Sequence, residues 1–492
     1  MVNKDISVTL TETVPKQFGI LDGEDACDEF SLATRRSPGR AYGILERAVR
    51  NAGYGDVQSI NPYHHGDNGN YISDNYRRMF GSNVVGIGAI TRTAKQALQL
   101  TARIKYVNPK TKVILGGPHF IFNPEIGLEY GADVICIGEG EEALPEILDT
   151  GFDIDKLAQV KGIAYKKRDE FIRNPQRDLL TPEKFIHPYY DEVTREKTSF
   201  GSVEGSRGCV YNCDHCQDPL INRGKYRNKP LEFVVEERRV AGETAPTVFY
   251  VDNNIAGNKK KLVELSYAIE ERGLNKGFNI CQITAKSLRD TEIQSALKRM
   301  GISMACVGYE HVFNSNLLEI GKPCNEEDNN EACRILRELG ILNHAMLMTG
   351  GNDTRESLED TLQWAIKNVD SAQFFPIGNL AGTPFDLRMR REERVLIDGI
   401  ESYPLADGHH VVVRSDNLSP YEQQVITDNM YYRFYSPKNN LMRMGNTIST
   451  FRFSQLPLKF AIMMYTNIHH GLDKVAKSKQ HLAHLEYLKS VS

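Results

Sequence analysis

The chain lacks long hydrophobic runs, an excess of charge of one sign and, for its 492 residues, many cysteines. No stretch approaches the roughly 18 apolar residues that suggest a membrane span, and the best candidate, residues 456–464, contains Lys459. The 60 basic and 64 acidic residues give a net charge of −4, which argues against a dedicated nucleic-acid-binding protein. The N-terminus has no apolar segment behind a basic start, so we expect no secretory signal and a cytoplasmic protein without a transmembrane segment.

Nine cysteines are too few for a disulfide framework that stabilises a chain of this length. A content of 40% hydrophobic and 25% charged residues is ordinary for a globular protein with about two to four domains. Three cysteines lie close together in the sequence, at Cys209, Cys213 and Cys216. Scattered cysteines usually serve as small buried hydrophobic residues. We expect this of the other six, which are Cys27, Cys136, Cys281, Cys306, Cys324 and Cys333.

Short apolar runs alternate with helical patterns between residues 40 and 150. Strands are predicted at residues 57–61, 84–90, 112–115 and 134–137, and helices at 41–52, 94–105 and 124–130. This alternation indicates βαβ units in a doubly wound parallel sheet, which is a Rossmann-like α/β fold. Ligands of such sheets bind at the carboxyl ends of the strands. No GxGxxG turn with a following acidic residue is present, which disfavours a nicotinamide cofactor.

Glycine-rich turns follow these predicted strands, and their spacing resembles that of the cobalamin-binding domain of corrinoid enzymes. Gly116-Gly117 stands where that family has its GG pair, and Gly88-Ala89-Ile90 stands in for its SxL segment. Arg40 occupies the position of the histidine in the family's DxHxxG motif, of which Gly43 keeps the last glycine. The resemblance implies a cobalamin without a protein ligand on its lower face, because a guanidinium offers cobalt no lone pair. A plain role for Arg40, as a helix cap or a surface ion-pair partner, is the alternative.

The resemblance therefore implies a cobalamin-binding domain over residues 1–150. Its expected cobalamin contacts are Arg40, Gly43, Gly88, Ala89, Ile90, Thr91, Gly116, Gly117, His119, Gly138, Glu139 and Gly140. Residues 151–200 are predicted to form a connector with a hairpin around residues 167–169.

The three clustered cysteines, at positions i, i+4 and i+7, can converge on one metal centre. A structural zinc site would require a fourth ligand, and His215 is the available candidate. A 4Fe–4S cluster held by three thiolates leaves one iron open for a substrate. The spacing CxxxCxxC with its SRGC lead-in closely resembles the signature of the radical S-adenosylmethionine (SAM) superfamily. This resemblance favours the iron–sulfur alternative, with Cys209, Cys213 and Cys216 as the ligands.

Apolar strands and helices continue to alternate after the cysteines and predict a partial, TIM-like (βα)6 barrel over residues 201–390. Strands are predicted at 248–251, 279–284, 305–308, 344–349 and 374–377, and helices at 260–272, 291–300, 329–339 and 355–368. Chemistry in such barrels lies at the carboxyl ends of the strands. Several of these ends resemble radical SAM segments. VDNN resembles the segment that receives the methionine amine, and VGYEH resembles the one whose Glu reaches the ribose. IGKPC resembles the family's lysine-containing turn, and LAGTPF resembles its PGTPL segment. The SAM contacts implied by the resemblance are Tyr211, His215, Asp252, Asn253, Asn254, Gln282, Thr284 and Glu310.

Together the two halves resemble a cobalamin-dependent radical SAM enzyme of the class B methyltransferase type. The resemblance implies a 4Fe–4S cluster, SAM and cobalamin as cofactors, and a reducing partner such as flavodoxin or ferredoxin. It also implies that a 5′-deoxyadenosyl radical removes hydrogen from an unactivated carbon, which then receives the methyl group of methylcobalamin. Two alternatives stay open. The first is radical cyclisation, ring contraction or hydroxylation without methyl transfer, and the second is a non-enzymatic corrinoid carrier or iron–sulfur sensor.

Residues 391–492 resemble no known domain and are predicted to form a mainly helical extension that covers the substrate. The segments Tyr431–Tyr435 and 451–453 alternate aromatic rings with cations. That pattern suits an anionic or extended partner, and it equally suits a strand packed on one face. The basic bias of the last sixty or so residues favours a polypeptide or anionic small molecule as substrate.

Overall fold

The computed structural model describes residues 4–13, 39–60, 77–198, 200–450 and 478–492, without the side chains of residues 193, 197 and 444–450. The chain forms two compact units. The first contains residues 1–199 together with the short segment Gly399–Pro404, and the second contains the remainder. Cys27 and residues 451–464 lie outside the described residues. Within the described part of the chain, no helix is long and apolar enough to cross a membrane.

The first unit is built on a seven-stranded sheet in the order β2-β1-β3-β4-β5-β6-β7. Its strands are β1 (Val8–Glu12), β2 (Val57–Ile60), β3 (Val84–Gly88), β4 (Lys112–Gly116), β5 (Val134–Cys136), β6 (Ile163–Lys167) and β7 (Glu170–Arg173). The first five pair in parallel, and β6 and β7 continue the sheet as an antiparallel hairpin. The predicted parallel sheet is confirmed, and the predicted hairpin around residues 167–169 belongs to the same sheet.

Helices cover both faces of this sheet, so its strands are buried on two sides. Val84 packs in one apolar cluster and the next residue, Val85, packs in another, as expected when successive side chains point to opposite faces. The helices are α1 (Arg40–Asn51), α2 (Thr91–Val107), α3 (Pro118–Phe122), α4 (Pro124–Glu129), α5 (Gly140–Asp149), α6 (Ile154–Leu157) and α7 (Glu192–Lys197). The fold is the doubly wound, Rossmann-like α/β fold that the sequence predicts.

The second unit is built on a six-stranded, all-parallel sheet in the order β15-β14-β13-β12-β11-β8. Its strands are β8 (Phe200–Val203), β11 (Thr247–Tyr250), β12 (Phe278–Ile283), β13 (Ile302–Glu310), β14 (Leu342–Thr349) and β15 (Ser371–Pro376). A two-stranded ribbon, β9 (Ser206–Arg207) and β10 (Arg227–Asn228), flanks the cysteine loop. The helices are α8 (Asp218–Ile221), α9 (Leu231–Thr244), α10 (Lys259–Glu271), α11 (Thr291–Arg299), α12 (Asn314–Glu319), α13 (Glu326–Leu339), α14 (Arg355–Asn368) and α15 (Pro384–Arg391). This is the predicted partial (βα)6 barrel.

The C-terminal part of the chain is mainly helical, as predicted, with α16 (Pro420–Phe434), α17 (Pro437–Thr450) and α18 (Lys479–Val491). Helix α16 covers the free edge of β15. The hydroxyl of Tyr431 accepts a hydrogen bond from the Phe374 amide at 2.9 Å, and that of Tyr435 accepts one from the Ala372 amide at 3.0 Å. An unpaired strand edge invites association with another chain, and the two tyrosines occupy its outward amides.

The interpretation of residues 431–435 as a partner-binding pattern of rings and cations is therefore wrong. Both tyrosines are buried, and the cation between them, Arg433, forms an ion pair with Glu359. The alternative, a strand packed on one face, is wrong as well because the segment is helical. The aromatic residues recur at helical spacing because one face of α16 packs on the sheet.

Candidate functional site

The three clustered cysteines lie on a loop between β9 and α8. Gly208, which precedes the first of them, has φ +95°, and a Cβ atom there would lie 2.1 Å from the carbonyl oxygen of Lys225. Only glycine fits this position, where the strand turns into the loop. All three thiols are free and partly buried.

Neighbouring elements fix the middle of this loop by backbone hydrogen bonds. The Asp214 amide donates to the Ile320 carbonyl at 3.0 Å, and the Asp214 carbonyl accepts from the Phe385 amide at 3.0 Å. The Gln217 side chain donates to the Ala381 carbonyl at 2.8 Å. The ends of α12 and α15 therefore hold the cysteine loop from outside.

The donor set fits an iron–sulfur cluster better than a single zinc ion. Within the described residues, no three His, Cys, Asp or Glu side chains converge as they would on one metal ion. The thiolates of a 4Fe–4S cluster each bind a different iron, so they need not converge on one point. Burial raises the pKa of Cys213 to about 11, an effect that the nearby Lys322 ammonium opposes. The Nδ1 atom of His215 is buried and has no hydrogen-bond partner in the described structure, and burial lowers the pKa of this ring, which favours its neutral form.

A buried ion pair lies beside the cysteine loop. Glu310 ends β13 with φ +60°, at a register shift in the pairing with β14, and such irregularities re-aim side chains. Its Oε1 atom lies 2.7 Å from Lys322 Nζ, and the two side chains are 14% and 8% exposed. Burial alone would raise the pKa of the Glu310 carboxyl, but the Lys322 charge outweighs this effect and holds that pKa below its ordinary value. The pair therefore places a carboxylate and an ammonium at the strand end where the resemblance implies contact with SAM.

The other SAM contacts implied by the resemblance lie at the ends of β11 and β12. Asp252 is buried, accepts hydrogen bonds from the Gly205 amide at 2.9 Å and from the Ser206 hydroxyl, and has its pKa raised by burial to about 6. Asn254 is 1% exposed, and its Nδ2 atom has no partner among the described residues. Asn253 instead donates to Asp218 at 2.5 Å.

Gln282 is the penultimate residue of β12, and Thr284 follows that strand and hydrogen-bonds Ser287 at 2.8 Å. Tyr211 lies in the cysteine loop itself, partly buried. Asp252 thus supports the segment that leads into the cysteine loop, whereas the Asn254 amide keeps a donor that no described residue uses.

In the first unit, the turns implied to contact cobalamin lie at the carboxyl ends of β3, β4 and β5. Gly117 has φ +94°, and a Cβ atom there would lie 2.6 Å from the Ala89 carbonyl oxygen. A Cβ atom at Gly88 or Gly138 would meet no described heavy atom within 4 Å. Among the described residues, the sheet edge therefore has a closely packed turn after β4 between two positions with no neighbouring heavy atom within 4 Å.

His119 lies at this edge with one ring nitrogen unsatisfied. Its Nδ1 atom is 3.3 Å from the Thr91 hydroxyl, and its ring packs edge-on against Tyr403 at a centroid distance of 4.4 Å. Its Nε2 atom is buried without a hydrogen-bond partner among the described residues, and burial lowers its pKa to about 4. The open glycines and this orphaned nitrogen, both at the strand ends where such sheets bind ligands, fit a large polar cofactor.

Some of the expected cobalamin contacts also have local structural partners. A Cβ atom at Gly43 would lie 2.8 Å from the Tyr189 carbonyl, and one at Gly140 would lie 2.8 Å from a Leu45 methyl. Both glycines therefore allow close packing of a helix. Glu139 accepts a hydrogen bond from the Leu180 amide at 2.7 Å. Of the remaining expected contacts, Ala89 is buried, Arg40 and Gly116 are partly buried and Ile90 is 53% exposed.

Two residues of these sites were not predicted to be site residues. Lys322 lies in the segment IGKPC, but its pairing with Glu310 depends on how β13 ends. Tyr403 lies 284 positions beyond its ring partner, His119, and belongs to the only segment of the chain's second half that the described structure assigns to the first unit. No local pattern indicates either contact.

Comparison with known proteins finds a family match in each of two regions of the chain. Residues 40–148 match the B12 binding domain, and residues 203–365 match the radical SAM superfamily. An uncharacterized methyltransferase of Pyrococcus horikoshii is 28% identical over 60% of this chain and 67% of its own length. The anaerobic magnesium-protoporphyrin IX monomethyl ester cyclase of Cereibacter sphaeroides is 26% identical over 65% of this chain and 54% of its own, so the chain spans about half the length of that relative.

Further similarities extend over more of the chain. The bacteriochlorophyllide d C-8(2)-methyltransferase of Chlorobaculum tepidum is 25% identical over 73% of this chain and 79% of its own length. The radical SAM methyltransferase TsrM of Kitasatospora setae, solved with cobalamin and a 4Fe–4S cluster, superimposes with a TM-score of 0.68 at 15% identity over 96% of this chain and all of its own. That likeness shows the shared fold.

The B12 binding match covers the glycine turns after β3, β4 and β5, and the radical SAM match covers the three cysteines and the buried Glu310–Lys322 pair. The cofactors that follow are a 4Fe–4S cluster, SAM and cobalamin. The chain belongs to the cobalamin-dependent radical SAM enzymes.

Proposed function

We propose that this enzyme methylates an unactivated carbon atom, with SAM as the methyl source and cobalamin as the methyl carrier. The observation that carries the proposal is the union of a B12 binding domain and a CxxxCxxC radical SAM domain in a chain similar to proteins named as methyltransferases. When bound, the cofactors supply a 5′-deoxyadenosyl radical and a methyl group, which is chemistry that no side chain provides.

The protein's own residues then serve to bind, orient and shield. Cys209, Cys213 and Cys216 would hold the cluster, with one iron left for the amine and carboxylate of SAM. Glu310, fixed by Lys322, would reach the ribose hydroxyls, since a carboxylate accepts their hydrogen bonds. The Asn254 amide would contact the methionine end of SAM. In the first unit, the turns at Gly88, Gly117 and Gly138 would let the backbone approach cobalamin closely.

We assign residues 1–150 to cobalamin binding, 151–200 to the connector, 201–390 to the barrel and 391–492 to a cover over the substrate. Contacts within the second unit support the last assignment. The Gln423 side chain on α16 donates to the Thr349 carbonyl at 3.1 Å, and the Asp416 amide donates to the Gly351 carbonyl at 2.9 Å. The C-terminal segment thus packs on the carboxyl end of β14, where the substrate of a barrel enzyme binds.

The substrate proposed is a polypeptide or an anionic small molecule. With Tyr431 and Tyr435 buried in the fold and Arg433 paired with Glu359, the support for this class is the basic bias of the C-terminal residues alone. A comparison of metabolites and of methylated proteins between a wild-type and a deletion strain would identify the class. Loss of a methyl group from a neutral lipid, with proteins and anionic metabolites unchanged, would contradict it.

A second candidate keeps the cofactors without methyl transfer, as in a cyclisation. The similarity to the magnesium-protoporphyrin IX monomethyl ester cyclase favours it. The two candidates differ in their products. We propose to incubate the anaerobically reconstituted enzyme with dithionite, SAM carrying a deuterated methyl group and an extract of the deletion strain. Methyl transfer predicts a labelled product together with 5′-deoxyadenosine and S-adenosylhomocysteine, whereas product without label or S-adenosylhomocysteine would establish the second candidate.

A further inference from the structure

The inner face of the barrel begins with an apolar floor. One cluster of buried residues consists of strand residues alone, with Phe278, Ile280, Met304 and Leu342 at its centre. Helices cover the outside of such a barrel, so a cluster made only of strand residues marks the inside. The strand register aligns Ile280, Met304 and Leu342 across β12, β13 and β14.

Two layers of uncharged residues follow this floor toward the carboxyl ends of the strands. The register aligns Gln282, Cys306, His344 and Ser371 in the first layer, and Gly308, Met346 and Gln373 in the second. The side chains of Gln282, Cys306, Met346 and Gln373 are partly exposed, although both chain neighbours of each are buried. Successive side chains of a strand point to opposite faces. The inner face is therefore more open at these layers than the face that packs under the helices.

The second layer lies next to the buried ion pair. A Cβ atom at Gly308 would lie 2.7 Å from Glu310 Oε1 and 3.1 Å from Lys322 Nζ. Glu310 is the only Asp, Glu, Lys or Arg residue in the six strands of the described sheet, and Lys322 already pairs with it. A charged group that entered these layers would lose its hydration without gaining a counter-charge on the strands, which is costly. The interior therefore favours an uncharged group.

A buried histidine holds Gln373 in place. His344 Nε2 lies 3.4 Å from Gln373 Oε1, and His344 Nδ1 lies 2.7 Å from Ser371 Oγ. Burial lowers the pKa of His344, which favours the neutral ring. A neutral ring can donate from Nε2 to the glutamine oxygen and accept from the serine hydroxyl at Nδ1. The amide nitrogen of Gln373 then keeps its two N–H donors, which no residue in the described part of the chain accepts.

We infer that Gln373 binds the substrate from inside the barrel, and that the group to be methylated is an uncharged part of the substrate with a hydrogen-bond acceptor such as an amide carbonyl. The inference rests on the proposed function, since it requires a substrate that is methylated in this barrel, and it narrows the substrate class. A polypeptide meets both conditions through a neutral side chain and the carbonyl oxygens beside it. An anionic small molecule meets them only with its charged group outside the two layers.

The test measures product formation and SAM cleavage separately. Wild-type, Gln373→Leu and Gln373→Glu enzymes are reconstituted and incubated anaerobically with dithionite, SAM carrying a deuterated methyl group and a dilution series of the deletion-strain extract. Both substitutions nearly keep the side-chain volume. Leucine removes the donor, and glutamate replaces it by a carboxylate that repels an acceptor.

We expect the ratio of labelled product to 5′-deoxyadenosine to fall by about tenfold or more in both variants. The cluster absorbance and the SAM cleavage measured without extract should stay within twofold of wild type. The matched control is Gln363→Leu, an exposed glutamine on α14 that donates to Glu359 of the same helix at 2.9 Å. This control should leave the product ratio and the cleavage unchanged.

Tandem mass spectrometry of the labelled product then locates the new methyl group. We expect it in an uncharged group that contains or adjoins a carbonyl oxygen or another acceptor. A label on a carbon next to a phosphate, carboxylate or ammonium group would overturn the inference, as would an unchanged product ratio in either variant. A loss of SAM cleavage as large as the loss of product would also overturn it, because Gln373 would then support the cofactor site. A wild-type enzyme that forms neither labelled product nor S-adenosylhomocysteine would instead contradict the proposed function.

Discussion

Replacing Lys322 by Met removes one partner of the buried ion pair beside the cysteine loop and retains most of the side chain's volume. Lys322 Nζ lies 2.7 Å from Glu310 Oε1, and both side chains are largely buried. In the variant, the Glu310 carboxylate would stay buried without a counter-charge. We expect a large loss of stability, and with it poorer binding of SAM, because the carboxylate loses the group that fixes its position.

The size of the effect follows from the geometry. Two unit charges at this separation attract by about 6 kcal/mol at an effective dielectric constant of 20, and desolvation of both groups cancels part of this energy. Removal of one partner of a buried pair typically costs about 3–5 kcal/mol. For a unit of this size that corresponds to a fall in melting temperature of about 6–10 °C.

The assay is a thermal melt of the reconstituted enzyme under anaerobic conditions, with the double variant Lys322→Met, Glu310→Gln alongside. The double variant should recover part of the loss, since it leaves no unpaired charge. The matched control is Lys261→Met. Lys261 Nζ lies 2.8 Å from Glu264 Oε2, but the lysine side chain is 48% exposed. This variant should lose less than about 1 kcal/mol of unfolding free energy. A Lys322→Met melt within 2 °C of wild type, or a double variant less stable than the single one, would refute the reasoning.

Three further predictions test other parts of the structure. Cys213→Ala should abolish both the iron–sulfur absorbance and cleavage of SAM, and a variant that retains either would contradict the ligand assignment. Tyr435→Phe should lower the free energy of unfolding by about 1–3 kcal/mol, because it leaves the buried Ala372 amide without its acceptor. An unchanged midpoint of urea unfolding would argue against this edge contact. His119→Gln should reduce the acid sensitivity of the first unit. Burial lowers the pKa of His119 in the folded state to about 4. The wild-type protein therefore loses up to about 3 kcal/mol of unfolding free energy as the pH falls from about 6.5 to 4. Calorimetry at pH 7 and pH 4.5 that shows equal losses in both proteins would exclude this role.

The sequence predicts most of the sheet strands because they are apolar runs bounded by turn residues. β1 (Val8–Glu12) is the main omission, although it lies between β2 and β3 in the sheet. Its alternate residues Thr9 and Thr11 are buried, and they hydrogen-bond the Ser82 hydroxyl and the Ile60 carbonyl. A polar residue can be buried when it has a hydrogen-bond partner in the fold, but here that partner is distant in the sequence. The strand therefore lacks a continuous apolar run, since only Val8 and Leu10 of its residues are apolar.

The same distinction separates the predicted from the unpredicted site residues. The cysteines carry their own signal, because their spacing on one loop is enough to indicate a shared centre. The Glu310–Lys322 pair depends on a register shift at the end of β13, and the contact of His119 with Tyr403 depends on a segment that returns from the second half of the chain. Gly43 matches a motif glycine, and the described structure also gives a packing reason for it, since a Cβ atom there would lie 2.8 Å from the Tyr189 carbonyl oxygen. Its contact with cobalamin stays a prediction.

The central claim is that one chain passes a methyl group from SAM to cobalamin. The most direct measurement needs no substrate. The reconstituted enzyme is incubated anaerobically with reduced cobalamin and SAM carrying a deuterated methyl group, and the corrinoid fraction is examined by mass spectrometry. We predict deuterated methylcobalamin and an equal amount of S-adenosylhomocysteine. Cobalamin that stays unlabelled, while 5′-deoxyadenosine accumulates, would contradict methyl transfer.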